Sequence, residues 1–337
     1  MASIRIITVA ESRDLENAAN AGGLSFAEMM ENAGRRTAEA VRSRIGIKNR
    51  RVVVLVGPGN NGGDGLVAAH YLSHMGADVS CYIWKRDSEG DRNYIRARDD
   101  GLRLLWAEDD SGYAALRDLV SGAHVVVDAL LGVGVTRPIG GTLKELIDVV
   151  RQALEPVADS GLTDTLPSEQ RRIRPLVVAV DCPTGLDCDT GGLDPAALFA
   201  DLTVSFAHAK RGLLRFPGAE AVGDLVVADI AIPAELAEGV PLEMASPELI
   251  RPWLPERPRS AHKGTFGRAL IVAGSVNYVG AAVLAGAAAT RVGAGLVTMG
   301  LPTPVQPAVA AHLAEATYLL LPHDMGVTAS GAVDLLS

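Results

Sequence analysis

The sequence has little of several features that would mark a specialised class of protein. Its 337 residues contain only 4% aromatic residues and three cysteines, which are Cys81, Cys182 and Cys188. Three irregularly spaced cysteines are too few for a disulfide framework or a structural zinc site. The start, residues 1–7, lacks the long apolar core of a signal peptide. Together these absences favour a protein of the reducing cytoplasm.

Positive charge is also scarce, since the formal net charge is −9. This balance argues against nucleic acid or an anionic membrane as the main partner, because both are polyanions. The local cluster Arg171–Arg174 is interpreted as a solvated loop. An uncharged run over 269–290 is long enough to span a bilayer, but Gly274–Asn277 interrupt it. Its Ala and Gly content favours a buried strand, a turn and a packed helix, so we expect a small-molecule partner.

Apolar runs alternate with helical patterns from Arg51 onward. Four runs are continuous and rich in β-branched residues, as expected of strands buried on both faces: Val52–Val56, Val79–Trp84, Val125–Leu130 and Leu176–Val180. Helical patterns occupy Leu66–Met75, Asp91–Leu105, Tyr113–Ser121 and Leu143–Leu154, and further strands are predicted at 201–206, 213–214 and 225–230. The pattern predicts an α/β fold, a Rossmann-like doubly wound and mostly parallel sheet with helices on both faces.

Two helices are predicted before the sheet. Thr8 with Glu11 and Ser25 with Glu28 are capping-box pairs, and the second helix is expected to end near Arg44.

Five prolines between Pro241 and Pro258 interrupt the pattern, and they predict a linker over 239–262 between a first domain, 1–238, and a second segment, 263–337. In that segment strands are predicted at 269–273, 296–301 and 316–321, with helices at 280–291 and 305–313. About 75 residues are few for a doubly wound domain.

Polar residues follow three of the predicted strands. In an open parallel sheet, ligands bind beyond the carboxyl ends of the strands. The first strand is followed by Gly57–Gly65, which contains Asn60, Asn61 and Asp64. The third is followed by Asp128 and Gly132–Pro138, and the fourth by Asp181–Gly185.

The glycine run matches a dinucleotide-binding pattern at Gly57, Gly59 and Gly62. Against that interpretation, Pro58 has no N–H for a phosphate, and the second strand ends in Lys85 and Arg86 instead of an acid. Because those two cations could suit a 2′-phosphate, an NADP-dependent oxidoreductase remains an alternative. Glycines and a helix N-terminus could still admit an anionic ligand close to the backbone.

Oxygen-bearing side chains at three strand ends suggest a cation site. Asn61, Asp128 and Thr184 offer one carboxylate and two neutral oxygens, which suit a weakly charged monovalent ion better than zinc. The alternative is that each residue simply caps a helix or turn.

These motifs carry a family resemblance. Gly57–Gly65, Asp128–Gly134 and Val180–Asp187 with Asp189–Gly191 resemble the NAD(P)H-hydrate epimerase family. The later stretches Lys210–Leu214, Phe216–Gly218, Gly223 and Asp229–Pro233 are similar too, so the resemblance covers residues 5–235. It implies an enzyme that interconverts the R and S forms of hydrated NADH and NADPH, which carry a hydroxyl at C6 of the nicotinamide ring.

The resemblance also implies roles for individual residues. Substrate contacts would come from Asn60, Asn61, Gly62, Gly63, Asp64, Gly132, Val133, Gly134, Val135, Thr136, Arg137, Pro138 and Asp181. A potassium ion would be bound by Asn61, Asp128 and Thr184, where the family more often has serine at the last position. Asp181 is the first choice for the acid/base and Asp128 the second, because a neighbouring cation would keep Asp128 ionised.

The C-terminal part resembles a different family. His262–Gly267, Ala269–Ser275, Gly280–Ala282 and Arg291–Val297 are similar to the opening of the ADP-dependent NAD(P)H-hydrate dehydratase, a ribokinase-like domain. Ala281 would help to seat the hydrated nicotinamide, and ADP or ATP would serve a complete domain. That family's late Gly-Thr-Gly-Asp segment is not found before Ser337, so we expect an incomplete ribokinase-like segment without dehydratase activity. A non-catalytic epimerase-like scaffold module is the main alternative, and homo-oligomerisation stays open.

Overall fold

The computed structural model describes residues 4–134, 137–155 and 174–333. The chain divides into two compact units, Met1–Arg251 and Pro252–Ser337, so the division falls inside the predicted linker. The first part of that linker packs into the first unit. There the Ile6 N–H donates to the Leu242 carbonyl at 2.9 Å, and the Met244 N–H donates to the Ile4 carbonyl at 2.8 Å.

The first unit contains nine strands and seven α-helices within its described residues. In chain order they are β1 Ile6–Ile7, α1 Val9–Ala21, α2 Phe26–Arg44, β2 Arg51–Val56, α3 Asn60–His74, β3 Asp78–Ile83, α4 Arg92–Asp99, β4 Arg103–Trp106, α5 Ala114–Gly122, β5 Val125–Ala129, α6 Gly141–Leu154, β6 Leu176–Val180, β7 Leu202–Phe206, β8 Ala209–Lys210, β9 Asp224–Ala228 and α7 Pro247–Ile250.

Seven of these strands form one parallel sheet in the order β4-β3-β2-β5-β6-β7-β9. The chain runs outward from β2 through β3 to β4 and returns to β5 on the other side of β2. The adjacent ends of β2 and β5 are therefore the topological switch point, where open α/β sheets bind ligands. A separate parallel pair joins β1 to β8.

Helices cover both faces of the sheet. Alternate residues of β2 face different apolar clusters: Val52, Val54 and Val56 pack with α2 and α3 residues, whereas Val53 and Leu55 pack with residues of α5 and α6. Strands buried on both faces are typical of doubly wound sheets. The fold predicted from the alternating pattern is confirmed.

Both capping boxes are present. The Thr8 hydroxyl accepts from the Glu11 N–H, and the Ser25 hydroxyl accepts from the Glu28 N–H, while each glutamate accepts from the N-cap backbone. The helix predicted to end near Arg44 does end there.

Three local predictions were wrong. The helix predicted over Asp91–Leu105 ends at Asp99, because Gly101 takes a left-handed φ of +75° and a further strand, β4, follows. Residues 213–214 lie in a 3₁₀ turn and not in a strand. The helix predicted from Leu66 begins at Asn60.

The structure brings the side chains of Cys182 and Cys188 next to each other. The turn in which the Leu186 N–H donates to the Pro183 carbonyl brings the two positions together.

The second unit follows the predicted order of strands and helices. Its described elements are β10 Arg268–Val272, α8 Val279–Val292, β11 Leu296–Pro302, α9 Gln306–Ala310, β12 Thr317–Leu321, β13 His323–Asp324 and β14 Val327–Thr328. The first three strands are parallel, in the order β10-β11-β12, and the last two pair antiparallel. Across the described parts of the chain, no helix combines the length and apolar character needed to cross a bilayer.

Candidate active site at the switch point of the sheet

The glycine run after β2 brings two strand ends together. The Gly57 N–H donates to the Ala129 carbonyl at 3.0 Å. A Cβ atom added to Gly57 would lie 1.8 Å from the Leu130 carbonyl oxygen, and one on Gly65 would lie 2.5 Å from the Ala129 Cβ. Side chains at these positions would therefore push β2 and α3 away from the end of β5.

Gly62 and Gly63 are accounted for by packing inside the protein. A Cβ on Gly62 would lie 2.1 Å from the Gly57 carbonyl oxygen, and one on Gly63 would lie 2.8 Å from the Met30 sulfur. Both glycines belong to the first turn of α3, whose N-cap, Gly59, provides no side-chain cap. The first N–H groups of this helix thus lack side-chain acceptors and can receive an anion.

The Arg86 side chain binds the same loop. Its Nη1 donates to the carbonyls of Gly57 and Gly59 at 3.0 and 2.8 Å, and its Nε pairs with Asp91 at 2.6 Å. A guanidinium held in this way has few N–H groups left for a ribose 2′-phosphate. Lys85 and Arg86 were the two cations that could suit the 2′-phosphate of NADP, and Arg86 is therefore not available for it.

Asp128, in β5, is a buried carboxylate with neutral partners. The Thr184 N–H donates to its Oδ2 at 2.8 Å, and the Thr184 hydroxyl donates to its Oδ1 at 2.7 Å. Leu130 adds a longer backbone bond of 3.3 Å. Burial raises the pKa of Asp128 to about 6. Within the described ranges, no lysine or arginine pairs with this carboxylate.

Asn61 lies in the same network. Its Nδ2 donates to the Leu131 carbonyl at 2.9 Å, and the Leu131 N–H donates to the Thr184 hydroxyl at 3.1 Å. The Oδ1 atom of Asn61 is buried and has no hydrogen-bond partner among the residues described. An unsatisfied buried acceptor costs about 1–3 kcal/mol unless something binds it. The structure therefore links Asn61, Asp128 and Thr184 in one network, and these three residues could hold a hard monovalent cation.

Asp181 directly follows β6 and forms an ion pair with a buried lysine. Its φ of +61° is left-handed, a strained backbone geometry that often occurs at functional sites. Its Oδ1 accepts from the Phe206 N–H at 3.1 Å and pairs with Lys210 Nζ at 2.5 Å. Lys210 is 1% exposed and also donates to the Phe206 carbonyl and the Ser205 hydroxyl.

The position of Lys210 was not predicted. It belonged to a stretch that resembled the epimerase family, but nothing in its local sequence pointed to a buried partner of Asp181. The pairing of Ile7 with Lys210 between β1 and β8 holds this lysine in place.

Two further acids lie in the field of this ion pair. Burial raises the pKa of Asp64 well above its usual range, and the negative charges of Asp181 and Glu16 raise it further, while Lys210 and Arg86 oppose the shift. Burial likewise raises the pKa of Glu16, which Lys210 partly offsets. Glu16 lies on α1. The sequence did not indicate it as a site residue, because a single acidic residue on an amphipathic helix is common.

A cavity of about 230 Å³ is lined by residues next to Thr184, but Asn61, Asp64, Asp128 and Asp181 do not line it. Its lining includes the predicted substrate residues Gly132, Arg137 and Pro138, together with Asp187 and Asp194.

The other predicted substrate residues are dispersed. A Cβ on Gly134 would lie 3.0 Å from an Arg13 nitrogen of α1, and Val133 packs at the edge of an apolar cluster. Val135 and Thr136 lie outside the described residues. Ala281 lies in α8 of the second unit, where it is exposed.

Comparison with known proteins gives a consistent result. The family model described as "YjeF-related protein N-terminus" matches residues 26–212. A relative named "Bifunctional NAD(P)H-hydrate repair enzyme Nnr" from Thermofilum pendens is 35% identical over 98% of this chain and 59% of its own length. Its namesake from Moorella thermoacetica is 34% identical over 98% of this chain and 61% of its own. The chain thus spans about three fifths of these relatives.

One solved structure supports the fold. The crystal structure of yeast ynu0 aligns with a TM-score of 0.57 at 20% identity, covering 72% of this chain and 96% of the yeast chain.

Proposed function

Because the chain belongs to the family of YjeF-related protein N-termini, we propose that its first unit is an NAD(P)H-hydrate epimerase, an isomerase of hydrated NADH and NADPH. The observation that carries this proposal is the pair of carboxylate centres, Asp128 and Asp181, at the carboxyl ends of the neighbouring strands β5 and β6. Relatives named as bifunctional NAD(P)H-hydrate repair enzymes support it.

The same proposal extends to the domain arrangement. Residues 1–238 would form the epimerase domain, 239–262 the connection, and 263–337 the N-terminal part of an ADP-dependent dehydratase domain. ADP or ATP would serve only a complete dehydratase, where Ala281 would contact the nicotinamide. The protein would act in the cytoplasm on a small-molecule substrate, without nucleic acid.

The substrate would bind along the strand ends. The free N–H groups at the start of α3 suit a phosphate of the dinucleotide, since a helix N-terminus favours negative charge. Contacts would come from residues 60–64, from 132–138 beside the cavity, and from Asp181.

Epimerisation at C6 requires the hydroxyl to leave or the ring to open and reclose, so a proton must be exchanged near C6. In Asp181, the Oδ1 atom is occupied by Lys210 and the Phe206 N–H. No donor among the described residues bonds to Oδ2, which would exchange the proton. Asp64, whose pKa burial raises well above its usual range, binds a proton more readily than an exposed carboxylate and would return it.

A potassium ion would be held by Asn61, Asp128 and Thr184, where it would stabilise negative charge that develops on the substrate. The partnerless Asn61 oxygen and the buried Asp128 carboxylate support this site. Asp128 is then better suited to bind a cation than to transfer a proton, so it remains the second choice for the acid/base.

The decisive experiment uses a mixture of R and S NADPH hydrates with a separate dehydratase that consumes only the S form. We expect the R form to disappear when this chain and potassium are added, and to persist with Asp181→Asn. If the R form persists with the unaltered chain, the epimerase proposal is wrong, and a non-catalytic scaffold becomes the better interpretation.

A further inference from the structure

The last two turns of α3 carry two histidines that lie near an aspartate at the end of α4. His70 and His74 are four residues apart, which places them on the same side of the helix. Asp100 is the C-cap residue of α4. One ring nitrogen of each histidine and one carboxylate oxygen of Asp100 all lie within 4.8 Å of one another.

Short contacts already orient these side chains. His70 Nδ1 lies 2.5 Å from Asp100 Oδ2, and His74 Nδ1 lies 2.9 Å from the His70 carbonyl oxygen. When Nδ1 of His74 carries its hydrogen, it donates to that carbonyl and leaves Nε2 as a free lone pair. Metal-binding histidines are typically oriented in this way, with the second nitrogen donating to a carbonyl or carboxylate.

We propose that His70, His74 and Asp100 form a binding site for a divalent transition metal of the zinc class. Two imidazole nitrogens and one carboxylate oxygen are a donor set that such ions prefer, and water would complete a tetrahedron. Ligand atoms in a zinc tetrahedron lie about 3.3 Å apart, given metal–ligand distances near 2.0 Å. The three side chains need only small rotations to reach this spacing, since all of them touch solvent.

The metal would join two helices at a place distant from the glycine run. Helix α3 packs on α4, and its 15 residues separate its two ends by roughly 22 Å. A metal at the last turn would hold the end of α4 against α3. The site is therefore structural in character and independent of the proposed epimerase reaction.

Calorimetric titration of the untagged, metal-free chain with zinc chloride tests the proposal. We expect one ion per chain at this site, and no comparable binding of magnesium, which prefers oxygen ligands. His70→Gln, His74→Gln and Asp100→Asn should each weaken zinc binding by at least about tenfold, since even residues that only orient ligands contribute that much. The matched control is His312→Gln, which changes an exposed histidine of the second unit.

Thermal unfolding provides the second measurement. Zinc should raise the melting temperature of the unaltered chain and of His312→Gln, but not that of His74→Gln. Because His74 is exposed, this variant should fold normally. The proposal is overturned if the unaltered chain binds no zinc at micromolar concentrations, or if His74→Gln binds it as tightly as His312→Gln does.

Discussion

Two carboxylates at the ends of neighbouring strands differ in what lies next to their negative charge. Asp181, after β6, pairs with the ammonium group of Lys210. Asp128, in β5, accepts only neutral N–H and O–H donors, although it is 1% exposed. The chain therefore supplies the counter-charge for one centre itself, whereas the other requires a bound cation or a proton.

The difference arises from what lies across each strand end. Lys210 is held by the small β1–β8 pair and projects to Asp181. Opposite Asp128, the Pro183–Thr184 turn provides a backbone N–H and a hydroxyl, and Asn61 adds a buried oxygen without a partner. A centre that contains its own cation suits proton exchange, and one without a cation suits ion binding.

The largest expected effect concerns Asp181. Asp181→Asn removes the carboxylate that we propose exchanges the proton, so we expect kcat for epimerisation to fall by about 10²–10⁴-fold, the usual contribution of a general acid or base. The coupled R and S hydrate assay at saturating substrate measures it. Asp118→Asn, at an exposed position of α5, should leave kcat unchanged. Full activity of Asp181→Asn would refute the role assigned to this centre.

The second prediction concerns the ion pair itself. Lys210→Met leaves the Asp181 carboxylate without its partner, so the free energy of unfolding should fall by about 3 kcal/mol in urea denaturation. The double variant Lys210→Met with Asp181→Asn should regain most of this loss without regaining activity.

The control for the two Lys210 variants is Lys144→Met. It breaks an exposed pair with Asp148 and should change the stability by less than about 1 kcal/mol. If the double variant is as unstable as Lys210→Met alone, lost packing of the lysine chain explains the effect, and the charge balance does not.

The third prediction concerns the centre without a built-in cation. Potassium should stabilise the chain against heat relative to choline at equal ionic strength, by about 2.7 kcal/mol at a hundredfold excess over Kd. Asp128→Asn should abolish this stabilisation. Since the pKa of Asp128 is about 6 and only the charged form attracts a cation, the effect should weaken as pH falls through 6. A potassium effect that Asp128→Asn leaves intact would place the ion elsewhere.

The smallest effect concerns Asp64, which lies in the field of Asp181. Burial raises its folded pKa above the ordinary value of 3.8, so the folded state binds this proton more tightly than the unfolded state. The unaltered chain should therefore lose stability relative to Asp64→Asn as pH rises from about 4 through the raised pKa. Melting temperatures measured from pH 4 to 8 test this, with Asp118→Asn as the control. A difference that does not grow with pH would contradict the prediction.

Much of the fold could be predicted from local patterns. Continuous β-branched runs indicated the central strands, and hydroxyl–glutamate pairs located the first helices. The start of α3 was missed because Gly62 and Gly63 are poor helix formers. Close packing of these glycines against Gly57 and Met30 overrides that preference. Strand β4 was missed because the helical pattern before Gly101 continued across it.

In the candidate site, too, some residues could be predicted from local patterns and others could not. Asn61, Asp128 and Thr184 were predicted as a group because each lies near a strand end, and the structure connects them through Leu131. Lys210 and Glu16 were missed, since a single charge in an ordinary stretch gives no local sign of burial.

The sequence by itself determined which polar residues follow which strands, and because the carboxyl ends of parallel strands share one edge, it determined that those residues meet. Only the tertiary structure decided which charges are paired. Lys210 lies 29 positions from Asp181 in the chain, and the Asn61 oxygen is buried without a hydrogen-bond partner among the described residues. Burial and distance set the energy of a charge, and both depend on residues that are far apart in sequence.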